Sequence, residues 1–316
     1  MVSIIIPVYN SENYIVRCLT AIQEQTYVDY ECICIDDGST DKSLELIESF
    51  ILSDSRFYCL SQKNGGPALS RNRGLDIAKG EYVVFIDSDD TIQRSFIEKL
   101  VNGISETEAD VCCCGYTEYE NNNLIAHTDY PVDIKSTRES YLLHLFSGTG
   151  GTVCSKIFRS TIIRMNNIRF HIEYSFCEDQ LFALEYFCHS CSFTSVMEYG
   201  YVYNRRENSL SSVWSYSKWY EQLSLLDYME YIMIESGLKS AVIDMCCENK
   251  AKDVIMHLFF CSCNNRHMSI RRVLNDAAVS KRIKGIYISS ISDIKWILPL
   301  KLKCYPIIKY VYGLGS

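Results

Sequence analysis

Residues 82–90 read Tyr82-Val-Val-Phe-Ile-Asp-Ser-Asp-Asp90, in which five apolar side chains are followed at once by an Asp-Ser-Asp-Asp cluster. A second apolar run, Ile33-Cys-Ile35, leads in the same way into Asp36-Asp-Gly-Ser-Thr-Asp41. Short continuous apolar runs are typical of strands that are buried on both faces of a parallel sheet. In open sheets of this kind, ligands bind in the crevice beyond the carboxyl ends of the strands. We therefore expect both acidic clusters to face one crevice.

Carboxylates that share a crevice repel one another unless a cation or a hydrogen-bonding ligand compensates for their charge. Hard divalent cations such as Mg²⁺ take oxygen ligands, and in nucleotide sites they bind one or two carboxylates together with phosphate oxygens. The D-x-D motif Asp87-Ser-Asp89 supplies carboxylates of this kind. The pattern predicts a divalent metal ion, a bound nucleotide, or both.

Strand and helix signals alternate over the first hundred residues, which indicates an α/β fold with a mostly parallel central sheet flanked by helices. Helices are predicted to begin near Ser11, after Thr40 and at Pro67. Beyond residue 100 the pattern is mixed, with a strand near 109–116 and helices near 138–146 and 178–188; from Trp214 onward helical spacing dominates. The strands predicted in the first part are Val2–Pro7, Tyr30–Ile35, Phe57–Leu60 and Tyr82–Ile86.

The composition, with 47% hydrophobic residues in 316, is that of a globular chain with a sizeable core. Sixteen cysteines are present. Because the chain opens with a strand-like segment and lacks the basic start of a signal peptide, we expect reduced thiols and a cytoplasmic location. Cys188-His-Ser-Cys191 has no second cysteine pair at zinc-finger spacing, so we expect most thiols to pack as small hydrophobic groups.

The net charge of −8 disfavours a nucleic-acid partner, but the charge is unevenly distributed. Between Asn264 and the C-terminus there are ten lysines and arginines and only two acids, Asp276 and Asp293. No apolar run there approaches the roughly 18 residues of a transmembrane helix. Two interpretations stay open. In one, the segment contacts the inner face of the cell membrane peripherally; in the other, it is a solvated helical region packed on the body.

Four blocks follow one another in the first ninety residues: Val2-Ser-Ile-Ile-Ile-Pro-Val-Tyr-Asn10, Asp36-Asp-Gly-Ser-Thr-Asp41, Gly65-Gly-Pro-Ala-Leu-Ser-Arg-Asn-Arg-Gly74 and Gly80-Glu-Tyr-Val-Val-Phe-Ile-Asp-Ser-Asp-Asp90. In type and order these blocks resemble those of the family-two nucleotide-sugar glycosyltransferases with a GT-A fold. The later segment Phe176-Cys-Glu-Asp-Gln-Leu-Phe182 is similar to the Glu-Asp block of that family, and Tyr203-Asn-Arg-Arg-Glu-Asn-Ser-Leu-Ser211 to a segment that follows it.

The resemblance implies a GT-A domain over residues 1–212, with a nucleotide-binding half at 1–100 and an acceptor and catalytic-base half at 101–212. Residues 213–316 form a helical C-terminal region. The implied enzyme is metal-dependent and inverting. It transfers a hexosyl or N-acetylhexosaminyl group from a nucleotide-sugar, with UDP expected, to a hydroxyl of a saccharide or lipid-linked saccharide. The implied pathway builds a bacterial surface polysaccharide such as capsule or O-antigen.

The resemblance also implies roles for individual residues. Asp179, beside Glu178, is the catalytic base, and Asp89 binds Mn²⁺ or Mg²⁺. Asp36 or Asp37 accepts from the uracil N–H; adjacent strand residues face opposite ways, so we expect only one of them to contact the base. The nucleotide-binding residues are Pro7, Tyr9, Glu12, Asp36, Asp37, Arg71 and Asp87.

The chemistry is consistent with these roles. A divalent ion on the diphosphate stabilises the charge that grows on the leaving group, and a carboxylate base contributes about 10²- to 10⁴-fold to attack by a hydroxyl. Glu12, Glu178 and Asp179 have a structural alternative, because acids are favoured in the first turn of any helix. Arg205 or Arg206 could neutralise the departing diphosphate, although surface arginines are commoner than such clamps.

Two other functions stay open. A sugar-nucleotide-forming nucleotidyltransferase would share the architecture, but it should carry a glycine-rich basic loop after the first strand, where this chain has Pro7-Val-Tyr-Asn10. A non-catalytic nucleotide- or carbohydrate-binding protein would bind intact UDP without transferring a sugar.

Overall fold

The structure is a computed structural model that describes residues 1–121, 123–130, 137–146, 152–174, 176–205, 216–264, 270–288, 291–303, 307–308 and 311. The chain divides into two compact units. The first, here called the sheet unit, comprises Met1–Leu145 and Thr149–Ser209. The second, here called the helical unit, comprises Phe146–Gly148 and Leu210–Ser316.

The sheet unit is built on one sheet, with helices between the strands. In the described residues its strands are β1 (Val2–Val8), β2 (Tyr30–Asp36), β3 (Phe57–Ser61), β4 (Tyr82–Phe85), β5 (Thr91–Ile92), β6 (Val111–Glu120), β7 (Asn123–Thr128), β8 (Lys156–Arg159) and β9 (Phe193–Arg205). The helices are α1 (Ile15–Gln23), α2 (Ser43–Ile51), α3 (Gly66–Ile77), α4 (Phe96–Glu106), α5 (Arg138–Leu145), α6 (Ser160–Met165) and α7 (Glu178–His189). The strand order is β3-β2-β1-β4-β8-β6-β9-β5, with β7 paired to β6.

The first four strands are all parallel, as the alternating pattern predicts. β1 lies between β2 and β4, with Val8 opposite Asp36 and Ile5 opposite Phe85. Every residue of β2 and β4 is buried, which explains their unbroken apolar runs. The ends of β2 and β4, which carry the two acidic clusters, therefore lie on either side of the end of β1.

The helices between these strands pack through the faces that the sequence indicates. α1 buries the predicted stripe of Ile15, Cys18, Leu19 and Ile22. α3 starts at Gly66, whose φ of +88° is strained for residues that carry a Cβ, and it has proline in its first turn. The helix then packs closely on β1, where a Cβ at Gly74 would lie 2.4 Å from Ile5 Cγ2.

The second half of the sheet mixes strand directions. β8 lies between β4 and β6 and is antiparallel to both, whereas β6 and β9 run parallel. The sequence pattern indicates β6 but neither β8 nor β9. β8 has only four residues, and its place in the sheet is set by pairing with strands far away in the chain, which local periodicity does not encode.

The helical unit is all-α in its described part. Its helices are α8 (Tyr216–Glu235), α9 (Ser240–Asn264), α10 (Ile270–Asn275), α11 (Ala277–Gly285), α12 (Ile291–Trp296) and α13 (Leu298–Lys301). Leu226 and Met229 of α8 and Val254 and Leu258 of α9 are fully buried. Within the described ranges, no helix has the length and apolar character needed to cross a bilayer.

Candidate active site

The loops that follow β1 and β2 are fastened to each other by side-chain to backbone hydrogen bonds. Asn10 Oδ1 accepts from the backbone N–H of Thr40 at 2.8 Å. Glu12 Oε2 accepts from the N–H of Lys42 at 3.1 Å, and the N–H of Glu12 donates to Asp41 Oδ2 at 3.0 Å. The carboxylate of Glu12 thus binds the backbone at the start of α2. The structural alternative given for Glu12 is wrong, because α1 begins at Ile15 and has no acid in its first turn.

Pro7 and Tyr9 come from the end of β1. Pro7 is partly exposed and Tyr9 has 49% of its surface exposed. An exposed tyrosine ring beside the strand ends is available to a planar ligand, since aromatic faces bury well against other rings. Both residues lie at the end of β1, where the base is expected.

Asp36 and Asp37 are both buried, and protein donors orient both carboxylates. Asp36 accepts from Ser61 Oγ at 3.0 Å and from the N–H of Ser39 at 3.3 Å. Asp37 accepts from Gln62 Nε2 at 2.7 Å. It also accepts from the backbone N–H groups of Gly65 at 2.9 Å and Gly66 at 2.7 Å, at the start of α3. Asp37 therefore links the end of β2 to the start of α3.

Arg71 of α3 lies between two carboxylates from distant parts of the chain. Its Nη2 donates to Asp87 Oδ1 and its Nη1 to Glu178 Oε1, both at 2.9 Å. The guanidinium is buried and lies 5.3 Å from the centre of the Phe170 ring. The two neighbouring charges raise its pKa against the opposing effect of burial, so it stays a cation. One buried cation thereby joins the loop after β4 to the first turn of α7.

Residues of β9 hydrogen-bond to the acidic loop after β4. Tyr201 donates its hydroxyl hydrogen to Asp90 Oδ2 at 2.6 Å and accepts from the N–H of Asp87 at 3.2 Å. Asp90 Oδ1 also accepts from the N–H of Asn204 at 2.8 Å. Burial, with the charges of Asp89 and Asp87, raises the pKa of Asp90 well above its ordinary value. Asp90 therefore anchors the acidic loop to β9.

Asp87 and Asp89 are the carboxylates that could hold a metal ion here. The Asp87 side chain is 34% exposed, whereas Asp89 is 9% exposed as a residue. The backbone carbonyl of Asp89 accepts from Arg17 Nη2 at 2.9 Å, which fixes this side of the loop. The described residues contain no group of three or more His, Cys, Asp or Glu arranged as a metal cluster. The donor set fits a hard cation that completes its ligand shell with phosphate oxygens and water.

Asp179 lies in the first turn of α7, beside the carboxylate that Arg71 binds. The helix is entered through Cys177 at φ +71°, a left-handed conformation that turns the chain sharply. Burial raises the pKa of Asp179 to about 7, with a further contribution from the charge of Glu178 and an opposing one from Arg71. A carboxyl with a pKa near neutrality is suited to general base catalysis.

The remaining arginines singled out in the sequence have structural partners where they are described. Arg73 donates to the carbonyl of Ser61 at 3.0 Å, which agrees with its assignment as structural. Arg205 binds the carboxylate of Glu118. Arg206 and the rest of the segment up to Ser211 lie outside the described residues.

Sequence reasoning missed Tyr201, Asn204 and the pairing of Arg71 with Glu178. Tyr201 belongs to β9, which periodicity does not predict, and it reaches the acidic loop from 111 residues away. The pairing of Arg71 and Glu178 spans 107 residues. No local signal could have found either contact. The Glu-Asp pair at 178–179 and the segment that begins at Tyr203 marked this region only through the family resemblance.

Comparison with known proteins identifies the chain's relatives. A family model described as glycosyl transferase family 2 matches residues 3–164. Glycosyltransferase GlyG of Streptococcus pneumoniae is 40% identical over 39% of this chain and 41% of its own length. The putative glycosyltransferase EpsH of Bacillus subtilis is 32% identical over 63% of this chain and 60% of its own. The chain thus spans between about two fifths and three fifths of these two relatives.

The structure is similar to that of Staphylococcus aureus TarS, residues 1–349, in a crystal structure with UDP-GlcNAc. The TM-score is 0.72 at 23% identity, covering 99% of this chain and 90% of that one. The likeness confirms the GT-A type of fold expected from the sequence.

We expect Tyr201→Phe to destabilise the protein by about 1 to 3 kcal/mol, because a buried carboxyl and a buried N–H each lose a partner. Tyr199→Phe is the matched control on the same strand, since its hydroxyl binds Asp129 at an exposed position. It should change stability by less than about 0.5 kcal/mol. Urea denaturation measures both variants. Equal stabilities would mean that Tyr201 does not hold the acidic loop.

Proposed function

Because the chain belongs to glycosyl transferase family 2, we propose that it is an inverting enzyme that uses a UDP-sugar. It transfers a hexosyl or N-acetylhexosaminyl group to an acceptor hydroxyl during synthesis of a bacterial surface polysaccharide, such as capsule or O-antigen. The observation that carries the proposal is the position of Arg71, which joins the acidic loop of Asp87 to the helix turn of Asp179. The UDP-GlcNAc in the TarS structure supports a UDP-sugar donor.

The nucleotide lies over the ends of β1, β2 and β4 in this proposal. Tyr9 and Pro7 cover the base and ribose, and one of the carboxylates of Asp36 and Asp37 accepts from the uracil N–H. Glu12 shapes this pocket through its bond to the α2 start. Arg71 on α3, beside Asp87, is the further nucleotide-binding residue in this proposal.

The diphosphate lies against the loop of Asp87 and Asp89. These carboxylates would hold Mn²⁺ or Mg²⁺, with Asp89 as the principal ligand. When bound, such an ion stabilises the negative charge that develops on the leaving diphosphate. Arg71 contributes a further fixed positive charge at Asp87, at 2.9 Å. The ion would offset the repulsion between these carboxylates and a diphosphate whose own charge is negative.

Asp179 removes the proton in the proposed transfer step. The acceptor oxygen attacks the anomeric carbon as its proton passes to the carboxylate of Asp179. The bond between the anomeric carbon and the diphosphate oxygen breaks, and UDP leaves with that electron pair. Attack from the face opposite the leaving group inverts the anomeric configuration.

The acceptor in this proposal is a saccharide or lipid-linked saccharide at the cytoplasmic face of the cell membrane. The basic segment from about residue 264 supports peripheral contact with that surface, because lysines and arginines are attracted to anionic lipids.

We expect Asp179→Asn to lower the transfer rate by about 10²- to 10⁴-fold, because the amide does not accept the acceptor proton. The affinity for UDP should be unchanged, since the side chain keeps its size and UDP contacts other residues. Calorimetric titration of UDP and a panel of UDP-sugar donors measure the two quantities. Transfer at the wild-type rate would refute the base assignment, and a wild-type protein that binds UDP without transfer would be a non-catalytic binder.

The wild-type transfer rate should rise with pH through a midpoint near 7, where Asp179 loses its proton. Arg71→Met removes a charge that lowers this pKa, so the midpoint should move to higher pH. Arg73→Met on the same helix is the matched control and should leave the midpoint in place. Rate profiles against pH at saturating donor measure the shift. A midpoint that is the same in all three proteins would contradict the coupling.

We expect Asp89→Ala to abolish the increase in UDP affinity that Mn²⁺ or Mg²⁺ produces, a loss of at least about tenfold. The comparison is UDP titration with and without the ion. Asp76→Ala is the control, because Asp76 lies exposed on α3 and pairs with Arg169. A metal effect that persists in Asp89→Ala would remove Asp89 from the metal site.

A further inference from the structure

The helical unit contains a lysine-rimmed pocket of about 170 Å³. Apolar side chains from α10, α11 and α13 lie within its lining, and they are buried. No acidic residue is among the lining residues. The apolar residues are Leu274, Ile283 and Leu300, and the lysines are Lys284, Lys301 and Lys303.

The lysines of this pocket keep their positive charge available. Lys301 Nζ donates to the backbone carbonyl of Lys284 at 3.1 Å, and Lys303 Nζ to Asn275 Oδ1 at 3.2 Å. Both partners are neutral, and each ammonium has further N–H donors. Within the described ranges none of the three lysines forms an ion pair. These bonds hold the ammonium groups in place without cancelling their charge.

The two neighbouring cations on α11, Lys281 and Arg282, form ion pairs, unlike the pocket lysines. Arg282 binds Asp227 and lies 3.6 Å from Glu230, and Lys281 lies 3.5 Å from Asp227. The two acids belong to α8 and neutralise that side of α11. Among the cations of α11, only Lys284, at the pocket, is without an acidic partner in the described ranges.

An exposed apolar side chain lies between two of the pocket lysines. Leu302 has 69% of its surface exposed, and farther along the chain Ile307 has 48% exposed. A leucine with lysines on both sides combines an apolar group with cations, which is suited to the boundary between lipid headgroups and acyl chains.

We infer that this pocket docks the protein on an anionic phospholipid bilayer. The rim of Lys284, Lys301 and Lys303 binds headgroup phosphates, and Leu302 inserts at the headgroup boundary. Charge complementarity favours an anionic ligand, and the exposed leucine favours a lipid surface over a dissolved anion. The inference rests on the membrane contact of the proposed function and names the residues that make it.

The test uses the full chain and sedimentation with phosphatidylglycerol–phosphatidylcholine vesicles, with pure phosphatidylcholine vesicles in parallel. The double variant Lys284→Gln, Lys303→Gln should bind the anionic vesicles about twentyfold more weakly, because a lysine at such a surface contributes about fivefold. The matched control is Lys239→Gln, Lys281→Gln, which removes the same charge from exposed positions of the helical unit. It should bind as the wild type does.

Two further measurements test the contributions of Leu302 and of charge. Leu302→Ser should weaken vesicle binding with the lysines intact, and added salt should weaken binding of the wild type. Thermal unfolding confirms that each variant is folded. Wild-type binding by the pocket double variant, or equal losses in both double variants, would overturn the inference.

Hydrolysis of UDP-GlcNAc without vesicles separates this inference from the proposed function. The pocket variants should hydrolyse the donor as the wild type does, because the substituted lysines are not among the residues assigned to the donor. If the protein binds vesicles but hydrolyses no UDP-sugar, the proposed transferase activity is refuted and the docking inference is not. If it hydrolyses the donor but binds vesicles without any dependence on the pocket lysines, the docking inference is refuted and the transferase activity is not.

Discussion

The guanidinium of Arg71 is buried between two carboxylates of the sheet unit, one from the loop after β4 and one from the first turn of α7. A buried charge is costly unless it is paired and hydrogen-bonded, and removing one partner of such a pair leaves the other charge uncompensated. Arg71 on α3 therefore constrains the loop after β4 and the start of α7 to stay where they are. The position of Asp87 relative to the turn of Asp179 depends on this one cation.

The same cation influences the protonation of the proposed base. Burial and the neighbouring Glu178 raise the pKa of Asp179, and Arg71 opposes them, so that the value lies near 7. Without Arg71 the carboxyl would hold its proton more tightly and would be a poorer acceptor at neutral pH. One side chain thus provides both the geometry and the electrostatics that the proposed reaction needs.

The acidic residues around Arg71 have different roles, and their clustering in the sequence does not show which residue has which role. Asp37 fixes the start of α3 and Asp90 anchors the loop on Tyr201, whereas Asp87 keeps a third of its side chain exposed. In the helical unit the basic residues divide in a similar way. Some pair with acids of α8, and others line a pocket without ion pairs in the described ranges. Burial and pairing, rather than residue type, separate the structural charges from those that can meet a ligand.

The sequence by itself determined the parallel half of the sheet, because its strands are continuous apolar runs and the stripe from Ile15 to Ile22 repeats at helical spacing. It also placed the acids of the D-x-D loop at a strand end, since this follows from their position directly after β4. Only the tertiary structure decided that β8 and β9 complete the sheet, that Tyr201 holds Asp90, and that Arg71 reaches Glu178. All of these contacts join residues far apart in the chain, more than a hundred positions for Tyr201 with Asp90 and for Arg71 with Glu178. Local periodicity carries no information about which distant segments will pair.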